Sequence, residues 1–289
     1  MFLFELQFLK WLESFRTEFL NILFQGITFL GEETLMIILA VTLWFAVDKK
    51  LAQKVLFITA GSLYINLIIK NFTKIPRPFT KGISCVRVDT ATGYSFPSGH
   101  TQTFSTWSMF FAIKYKKLWL SILTGILIVL VGFSRLYLGA HYPSDVIMGI
   151  ILGVGISSLG NMIFDKIRDT KKIYLITLIT FTPFIVYFLF EAEHMFGDLY
   201  KLFGMICGLT LVAFLDGKYE DISYDVAWWK KFLRIIIGVT VAFILKEGIK
   251  ALNVFETVQI SLLFDTVRYF IVVFSVGFLC PILFKKIKL

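Results

Sequence analysis

Long apolar runs, separated by short polar stretches that carry lysine and arginine, are the feature that most restricts how this 289-residue chain can fold. The chain is 57% hydrophobic and only 17% charged, whereas a soluble domain of ordinary composition is about one quarter charged. A helical apolar run of about 20 residues can cross the hydrocarbon core of a bilayer. The pattern therefore predicts an all-α protein, a polytopic bundle of membrane-spanning helices.

We expect about nine spans, each ending where polar or charged residues interrupt an apolar run. They are approximately 34–47, 51–69, from within 94–101 to 113, 118–133, 141 or 142 to 164, 173–190, 202–215, 232–245 and 267–284. In residues 1–30, aromatic residues recur every three or four positions among charges, which is typical of an amphipathic helix in the membrane interface. We therefore divide the chain into this interfacial helix (1–30), core spans with their connecting loops (31–172) and additional C-terminal membrane helices (173–289).

The charges of the connections predict the orientation of the bundle. The net charge is +9; in a membrane protein, basic residues gather in cytoplasmic loops, so this charge does not indicate a nucleic-acid partner. If every run spans once, basic clusters such as 114–117 and 166–172 fall on one side, which we assign as cytoplasmic. The connections 70–100 and 134–145 then lie together on the extracytoplasmic face of a plasma or inner membrane.

The stretch that begins the third span, Tyr94-Ser95-Phe96-Pro97-Ser98-Gly99-His100-Thr101, has the composition of an anion-binding helix start. Pro97 suits the first turn of a helix, and the N–H groups of Ser98 and Gly99 would point outward toward an anion. His100 lies in the same turn, so an ionisable imidazole would face that anion. A Ser-Gly-His sequence at a helix start also occurs by chance, so this stretch alone does not establish a catalytic site.

Two further stretches lie at span ends on the same predicted face. The first contains Lys70 and Arg77, and its simpler interpretation is a basic helix end that reaches toward lipid headgroups. The second contains Arg135, His141 and Asp145. His141 and Asp145 are four residues apart at a predicted helix start, so they share a face, and the carboxylate can orient the imidazole as a base or nucleophile. The alternative is a capping aspartate beside an interfacial histidine.

In order, the three stretches read K-x6-RP, PSGH and SR-x5-H-x3-D, and they extend from Lys70 to Asp145. In this pattern the chain resembles the type-2 phosphatidic acid phosphatase superfamily, which consists of integral-membrane lipid phosphatases. The resemblance implies a phosphate-binding set made of cationic side chains, one hydroxyl and one backbone N–H. That set is Lys70, Arg77, Ser98, Gly99 and Arg135.

The resemblance also implies a mechanism. His141 would attack phosphorus and form a phosphohistidine, with Asp145 orienting its ring. His100 would protonate the leaving group and then help to activate water. Because three basic side chains would offset the developing phosphoryl charge, we expect neither a metal ion nor another cofactor.

The function that we expect is hydrolysis of a lipid phosphate or diphosphate, of the phosphatidic acid, undecaprenyl diphosphate or sphingoid-phosphate type. A lipid substrate fits because each motif adjoins a span. The enzyme alternatives are a soluble sugar-phosphate phosphatase and a lipid phosphotransferase on the same scaffold. The non-enzyme alternative is a lipid-binding membrane protein, but the presence of His100, His141 and Asp145 argues against it.

Overall fold

The structure, a computed structural model, describes residues 2–88, 91–191, 193–216 and 222–289. Its regular elements are helices, which confirms the all-α class. The α-helices of the described residues are α1 (Phe2–Ser14), α2 (Glu18–Thr28), α3 (Glu33–Thr42), α4 (Lys49–Thr73), α5 (Gly99–Tyr115), α6 (Leu118–Tyr137), α7 (Pro143–Lys166), α8 (Thr170–Glu191), α9 (Gly197–Leu215), α10 (Trp228–Lys250), α11 (Val258–Phe274) and α12 (Cys280–Lys286).

The chain divides into two compact units. The first unit consists of Met1–Met36 and Ile65–Ile163, and the second of Ile37–Tyr64 and Phe164–Leu289. All the site residues predicted from the sequence belong to the first unit. The division into 1–30, 31–172 and 173–289 stays a prediction, and residues 192 and 217–221 of its last segment lie outside the described residues.

The N-terminal segment, predicted as one amphipathic helix, forms two helices that are interrupted at residues 15–17. Thr17 caps α2, since its hydroxyl accepts a hydrogen bond from the Leu20 N–H at 3.3 Å. Arg16, also in the break, donates from Nε to the Tyr137 carbonyl at 2.8 Å. These side-chain hydrogen bonds explain why the helix is not continuous. The location of both helices in the membrane interface stays a prediction.

Within the described residues, six helical stretches are long and apolar enough to cross a membrane, or seven if the bent pair Glu18–Gly31 and Glu33–Val47 counts as one span. The six are Lys49–Lys81, Leu118–Tyr137, Pro143–Lys166, Thr170–Glu191, Gly197–Leu215 and Val258–Lys286. The predicted spans in α5 and α10 are not among them, because α5 has only 17 residues and α10 carries charged residues near both ends. Helix length and composition therefore do not confirm the count of nine.

Two glycines of α7 allow it to approach α5 closely. A Cβ at Gly149 would lie 2.8 Å from the Ser98 carbonyl oxygen, and one at Gly153 would lie 2.6 Å from the Gln102 carbonyl oxygen. Neither position has room for a side chain. This packing brings the beginnings of α5 and α7 together, where the Ser98 N–H donates to the Asp145 carbonyl at 3.0 Å.

The connections that precede α5 and α7 contact each other, as the sequence predicted. The Val86 N–H donates to the Leu138 carbonyl at 3.0 Å, and the Ser95 hydroxyl donates to the Asp145 carboxylate at 2.5 Å. Residues 89 and 90 of the first connection lie outside the described residues. Both connections therefore contribute side chains to one site.

In the second unit, α9 and α11 pack in parallel. A Cβ at Gly204 would lie 2.1 Å from the Thr266 carbonyl oxygen, and one at Gly208 would lie 3.0 Å from Val273 Cβ. Because the contacts advance in the same direction along both helices, the two helices run the same way. The chain between them, which contains α10, has to return before α11 begins.

Candidate active site

His141 and Asp145 form the hydrogen bond that the sequence predicted. His141 Nδ1 lies 3.1 Å from Asp145 Oδ2, and both side chains are buried. His141 precedes α7, however, and only Asp145 lies in its first turn. The same carboxylate oxygen accepts hydrogen bonds from the Tyr142 N–H at 2.8 Å and from Ser95 Oγ. These three donors fix the carboxylate on the Nδ1 side of the imidazole.

The other ring nitrogen of His141 faces Arg77. His141 Nε2 lies 3.2 Å from Arg77 Nη1. An arginine side chain can only donate hydrogen bonds, so Nε2 accepts and carries no proton, while Nδ1 donates to Asp145. The Nε2 lone pair is therefore directed toward a phosphate-binding candidate, as a nucleophile on phosphorus requires.

The surroundings of His141 favour its neutral form. Burial lowers the pKa of His141 well below its ordinary value, and the positive charges of Arg77 and Lys70 lower it further. Protonation of the ring would place another positive charge beside these cations in a buried position. A neutral imidazole with an oriented lone pair is the form that can attack an electrophile.

Backbone carbonyls hold Arg77 and Lys70. Arg77 donates from Nε to the Gly93 carbonyl at 2.9 Å and from Nη1 to the Ala140 carbonyl at 3.1 Å. Lys70 Nζ donates to the Tyr94 carbonyl at 2.7 Å. Carbonyl oxygens orient these side chains and carry no formal charge. Among the predicted site residues the three basic side chains outnumber the one carboxylate, Asp145, so the set has a net positive charge.

Arg135 and His100 present buried nitrogen atoms that the described part of the protein does not satisfy. Arg135 is fully buried, and its Nη1 donates to the Thr28 hydroxyl at 2.9 Å. Within the described ranges, no hydrogen-bond partner is found for Nε or Nη2 of Arg135, or for Nε2 of His100. Since buried polar groups are nearly always hydrogen-bonded in proteins, these atoms indicate where a polar ligand would bind.

The predicted helix start is shifted from its expected position. α5 begins at Gly99 with Ser98 at the N-cap, so Pro97 precedes the helix and does not lie in its first turn. The prediction for Pro97 was therefore wrong, because the backbone of Ser98 is still extended and its N–H bonds to Asp145. The Ser98 hydroxyl lies 3.0 Å from Thr101 Oγ1, and both are buried. The phosphate-binding roles of Ser98 and of the Gly99 N–H stay predictions.

Sequence reasoning missed two residues of the site, Ser95 and Thr28. Ser95 lies inside the stretch that drew attention, three residues before Ser98, and its position beside other polar residues was the only available signal. Thr28 is 107 residues before Arg135 in the chain. No spacing rule connects residues that far apart, so only the tertiary structure reveals this contact.

Comparison with known proteins places this arrangement in a family. Residues 51–169 match the model of the PAP2 superfamily, and residues 200–289 match the model of the PAP2 superfamily phosphatase transmembrane extension. An undecaprenyl-diphosphatase of Sulfolobus acidocaldarius is 44% identical over 82 residues, which are 28% of this chain. Phosphatidylglycerophosphatase B of Bacillus subtilis is 28% identical over 171 residues, covering 54% of this chain and 81% of that protein.

Coverage of the relatives is incomplete. The chain spans 39% of the length of the archaeal protein and 62% of a relative from Escherichia coli. A crystal structure of a transmembrane PAP2-type phosphatidylglycerolphosphate phosphatase from Bacillus subtilis is 26% identical, covers 57% of this chain and 86% of that one, and has a TM-score of 0.49. Since two models of one superfamily match separate parts of the sequence, and the three motifs lie within the first, this chain belongs to the PAP2 superfamily.

Proposed function

We propose that the protein is a membrane phosphatase that hydrolyses a lipid phosphate or diphosphate through a phosphohistidine. The observation that carries this proposal is the orientation of the His141 imidazole, whose Nδ1 lies 3.1 Å from Asp145 and whose Nε2 lies 3.2 Å from Arg77, a phosphate-binding candidate. The unsatisfied donors of Arg135 support a phosphoryl group as the ligand, because guanidinium edges match phosphate oxygens.

The proposed reaction has two steps. His141 Nε2 attacks phosphorus in line, the bond from phosphorus to the leaving oxygen breaks, and His100 gives that oxygen a proton. Water then attacks the phosphohistidine, His100 accepts the water proton, and inorganic phosphate leaves as the bond to Nε2 breaks. Lys70, Arg77 and Arg135 would stabilise the charge on the phosphoryl oxygens in both transition states. The hydroxyl of Ser98 and the N–H of Gly99 would add hydrogen bonds.

A lipid substrate is supported by the position of the site in the chain. Arg135 and Asp145 lie at the ends of apolar stretches long enough to span a bilayer, and Lys70 lies in the last turn of α4. Side chains at span ends lie near the headgroups, which is where a lipid phosphate is located. The names of relatives, an undecaprenyl-diphosphatase and a phosphatidylglycerophosphatase, point to the same class of substrate.

We infer nine crossings, namely the six apolar stretches, the bent segment that ends at Val47, α5 and α10, with the site on the extracytoplasmic face. The connections before α5 and before α7 contact each other, so α5 and α6 form a hairpin, and α5 has to cross if α6 does. The parallel packing of α9 and α11 likewise requires α10 to return across the membrane. With both crossings included, the basic connections again fall on one side, which supports a cytoplasmic location for them.

A thiol-labelling experiment tests this orientation. Cys85 lies in the connection before α5 and is half-buried. We expect a membrane-impermeant thiol reagent to label it on intact cells, with the Cys85→Ser variant as the unlabelled control. Labelling that requires permeabilised cells would contradict the extracytoplasmic assignment.

Release of inorganic phosphate from a substrate panel tests the function. The panel contains phosphatidylglycerophosphate, phosphatidic acid, undecaprenyl diphosphate and a sphingoid phosphate, with glucose 6-phosphate as the soluble comparison. We expect release from lipid substrates and a loss on the order of 10⁶-fold in kcat for folded His141→Ala. Preference for glucose 6-phosphate would favour the sugar-phosphate alternative, and phosphorylation of a second lipid would favour phosphotransfer. Lipid binding without turnover would overturn an enzymatic function.

A further inference from the structure

The end of α2 and the turn that follows it contact the candidate site. Thr28, the last residue of α2, is fully buried, and Gly31 is buried three residues later. Both precede residue 51, where the first family match begins, so neither match includes them. The active-site surroundings therefore include a segment from outside the matched core.

The Thr28 hydroxyl makes the single hydrogen bond of the Arg135 guanidinium found among the described residues. Thr28 Oγ1 accepts from Nη1 at 2.9 Å, and both side chains are 0% exposed. A hydroxyl in this place satisfies one donor and leaves the positive charge intact. A carboxylate in the same place would neutralise Arg135 and compete with an anionic substrate.

The geometry of the guanidinium makes this contact directional. The group is planar, so fixing Nη1 also fixes the opposite edge, which carries the N–H groups of Nε and Nη2. Two parallel N–H groups on one edge can bind two oxygens of a phosphate at once. These are the two nitrogen atoms of Arg135 for which the described residues provide no partner.

Gly31 shows that the same turn also packs against the histidine expected to act as the acid. A Cβ at Gly31 would lie 2.7 Å from the His100 carbonyl oxygen and 3.1 Å from His100 Cβ. A larger residue would displace the first turn of α5. The turn that carries Thr28 and Gly31 is therefore in direct contact with two predicted site residues.

We propose that Thr28 is a positioning residue, whose hydroxyl orients Arg135 so that its Nε and Nη2 edge binds the phosphoryl group. The inference rests on the proposed function, since the ligand of that edge is taken to be the substrate phosphate. Thr28 does not touch the substrate; it acts through Arg135. The N-terminal helices thereby contribute to phosphate affinity.

The test compares Thr28→Val, which removes the hydroxyl and keeps the shape, with Thr28→Ser, which keeps the hydroxyl. We measure KM for the lipid substrate and inhibition by inorganic phosphate. Thr28→Val should raise KM about tenfold and weaken inhibition by inorganic phosphate about tenfold. This is the effect of losing a hydrogen bond to a charged group. Thr28→Ser should remain within about twofold of wild type. If Thr28→Val does not fold, Thr28→Ala removes the same hydroxyl and is judged by the same outcome.

Two controls separate positioning from packing. Thr124→Val alters a threonine of α6 whose hydroxyl bonds to the Leu120 carbonyl of its own helix, and it should leave KM and phosphate inhibition unchanged. In an Arg135→Ala background, Thr28→Val should have no further effect on phosphate inhibition. A packing defect would instead lower the active fraction, and thus apparent kcat, with KM unchanged. That result, or an effect of Thr28→Val that persists without Arg135, overturns the proposal.

Failure of the proposed function would be recognised separately. Wild-type turnover and its loss in His141→Ala test the function without involving Thr28. Binding of inorganic phosphate, measured by calorimetry on the detergent-solubilised full chain, tests Thr28 without requiring turnover. If wild type binds phosphate and Thr28→Val binds it equally well, the positioning role is wrong whatever the substrate.

Discussion

Two arginines that are buried in long apolar helices are held in different ways. Arg268, on α11 of the second unit, pairs with the carboxylate of Asp265 at 2.7 Å, one turn earlier in the same helix. Arg135, on α6 of the first unit, donates to the Thr28 hydroxyl. Among the residues that the structure describes, no carboxylate oxygen lies within 4.0 Å of Arg135.

The difference distinguishes a structural charge from a binding charge. Burying an ion is costly unless a partner neutralises it. Arg268 is neutralised by Asp265 of its own helix, so its burial requires no bound anion. Among the described residues Arg135 leaves Nε and Nη2 without a hydrogen-bond partner, and we propose that a bound anion offsets the cost of burying its charge. Within the described residues Arg135 leaves two nitrogen atoms of one edge unsatisfied, whereas Arg268 leaves only Nε, and this edge distinguishes the proposed binding charge.

The largest difference in kcat should be seen between substitutions of two aspartates, Asp145 of the first unit and Asp265 of the second. Asp145→Asn should lower kcat on the order of 10⁴-fold, because an amide cannot stabilise positive charge on His141, although it keeps the shape and one acceptor oxygen. KM should change little, since the three cations proposed to bind the phosphate remain. Steady-state kinetics on the best lipid substrate provide the measurement.

Asp265→Asn is the matched control for this prediction. It removes the carboxylate partner of Arg268, so it should destabilise the second unit without changing the chemical step of the folded protein. A steep rise in KM for Asp145→Asn with kcat intact would mean that Asp145 positions the substrate and does not assist His141.

A second comparison exchanges the arginines themselves. Arg135→Ala should lower kcat/KM about 10²- to 10³-fold, the effect of removing one preorganised donor from a charged transition state. Its unfolding temperature should change little, because the arginine has no neutralising partner to leave behind. Arg268→Ala should instead lower the unfolding temperature, because the partly buried Asp265 loses the ion-pair partner that lies 2.7 Å away. The measurements are the unfolding temperature and kcat/KM of both variants.

The double variant Arg268→Leu with Asp265→Leu sharpens the same comparison. Replacing both members of a buried ion pair with apolar residues often restores stability, so this variant should recover most of what Arg268→Ala loses. If Arg268→Ala abolished phosphate release in a fully folded protein, the division into structural and binding charges would be wrong.

Local spacing made some of these features predictable from the sequence. The contact of His141 with Asp145 follows from residues four apart, and the all-α class follows from the apolar runs. The meeting of the two connections followed from counting spans. Each of these inferences depends on a rule that operates over one helix or one crossing.

Features that depend on distant residues were not predictable. The contact of Thr28 with Arg135 joins helices far apart in the chain, and the break at Arg16 depends on a bond to the Tyr137 carbonyl. The start of α5 was misplaced because the Ser98 N–H bonds to Asp145 instead of following the local helix pattern. Tertiary hydrogen bonds decided each of these cases.

The pH dependence of kcat/KM should show a smaller effect, which tests the electrostatic environment of His141. An ordinary histidine nucleophile would lose activity as pH falls through about 6.5. Because burial and nearby cations lower the pKa of His141, the neutral nucleophile should persist to lower pH. The acid limb of kcat/KM should therefore lie well below pH 6.5. The pKa of the substrate phosphate must be measured separately. An acid limb at or above pH 6.5 that does not follow the substrate pKa would contradict a lowered pKa of His141.

The smallest expected effect is that of a chelator. In many phosphatases a metal ion supplies the positive charge that stabilises the transferring phosphoryl group. Here the cations Lys70, Arg77 and Arg135 are proposed to supply that charge, so activity should be unchanged by EDTA. The measurement is phosphate release before and after exhaustive chelation, with a metal-dependent phosphatase in parallel to establish that chelation was complete.

Arg135→Ala should also remain unaffected by added magnesium, because a cation in solution cannot reproduce a guanidinium edge fixed by Thr28. Activity that disappears in EDTA and returns with magnesium would mean that the buried arginines do not suffice, and the contrast between Arg135 and Arg268 would then lose its functional meaning.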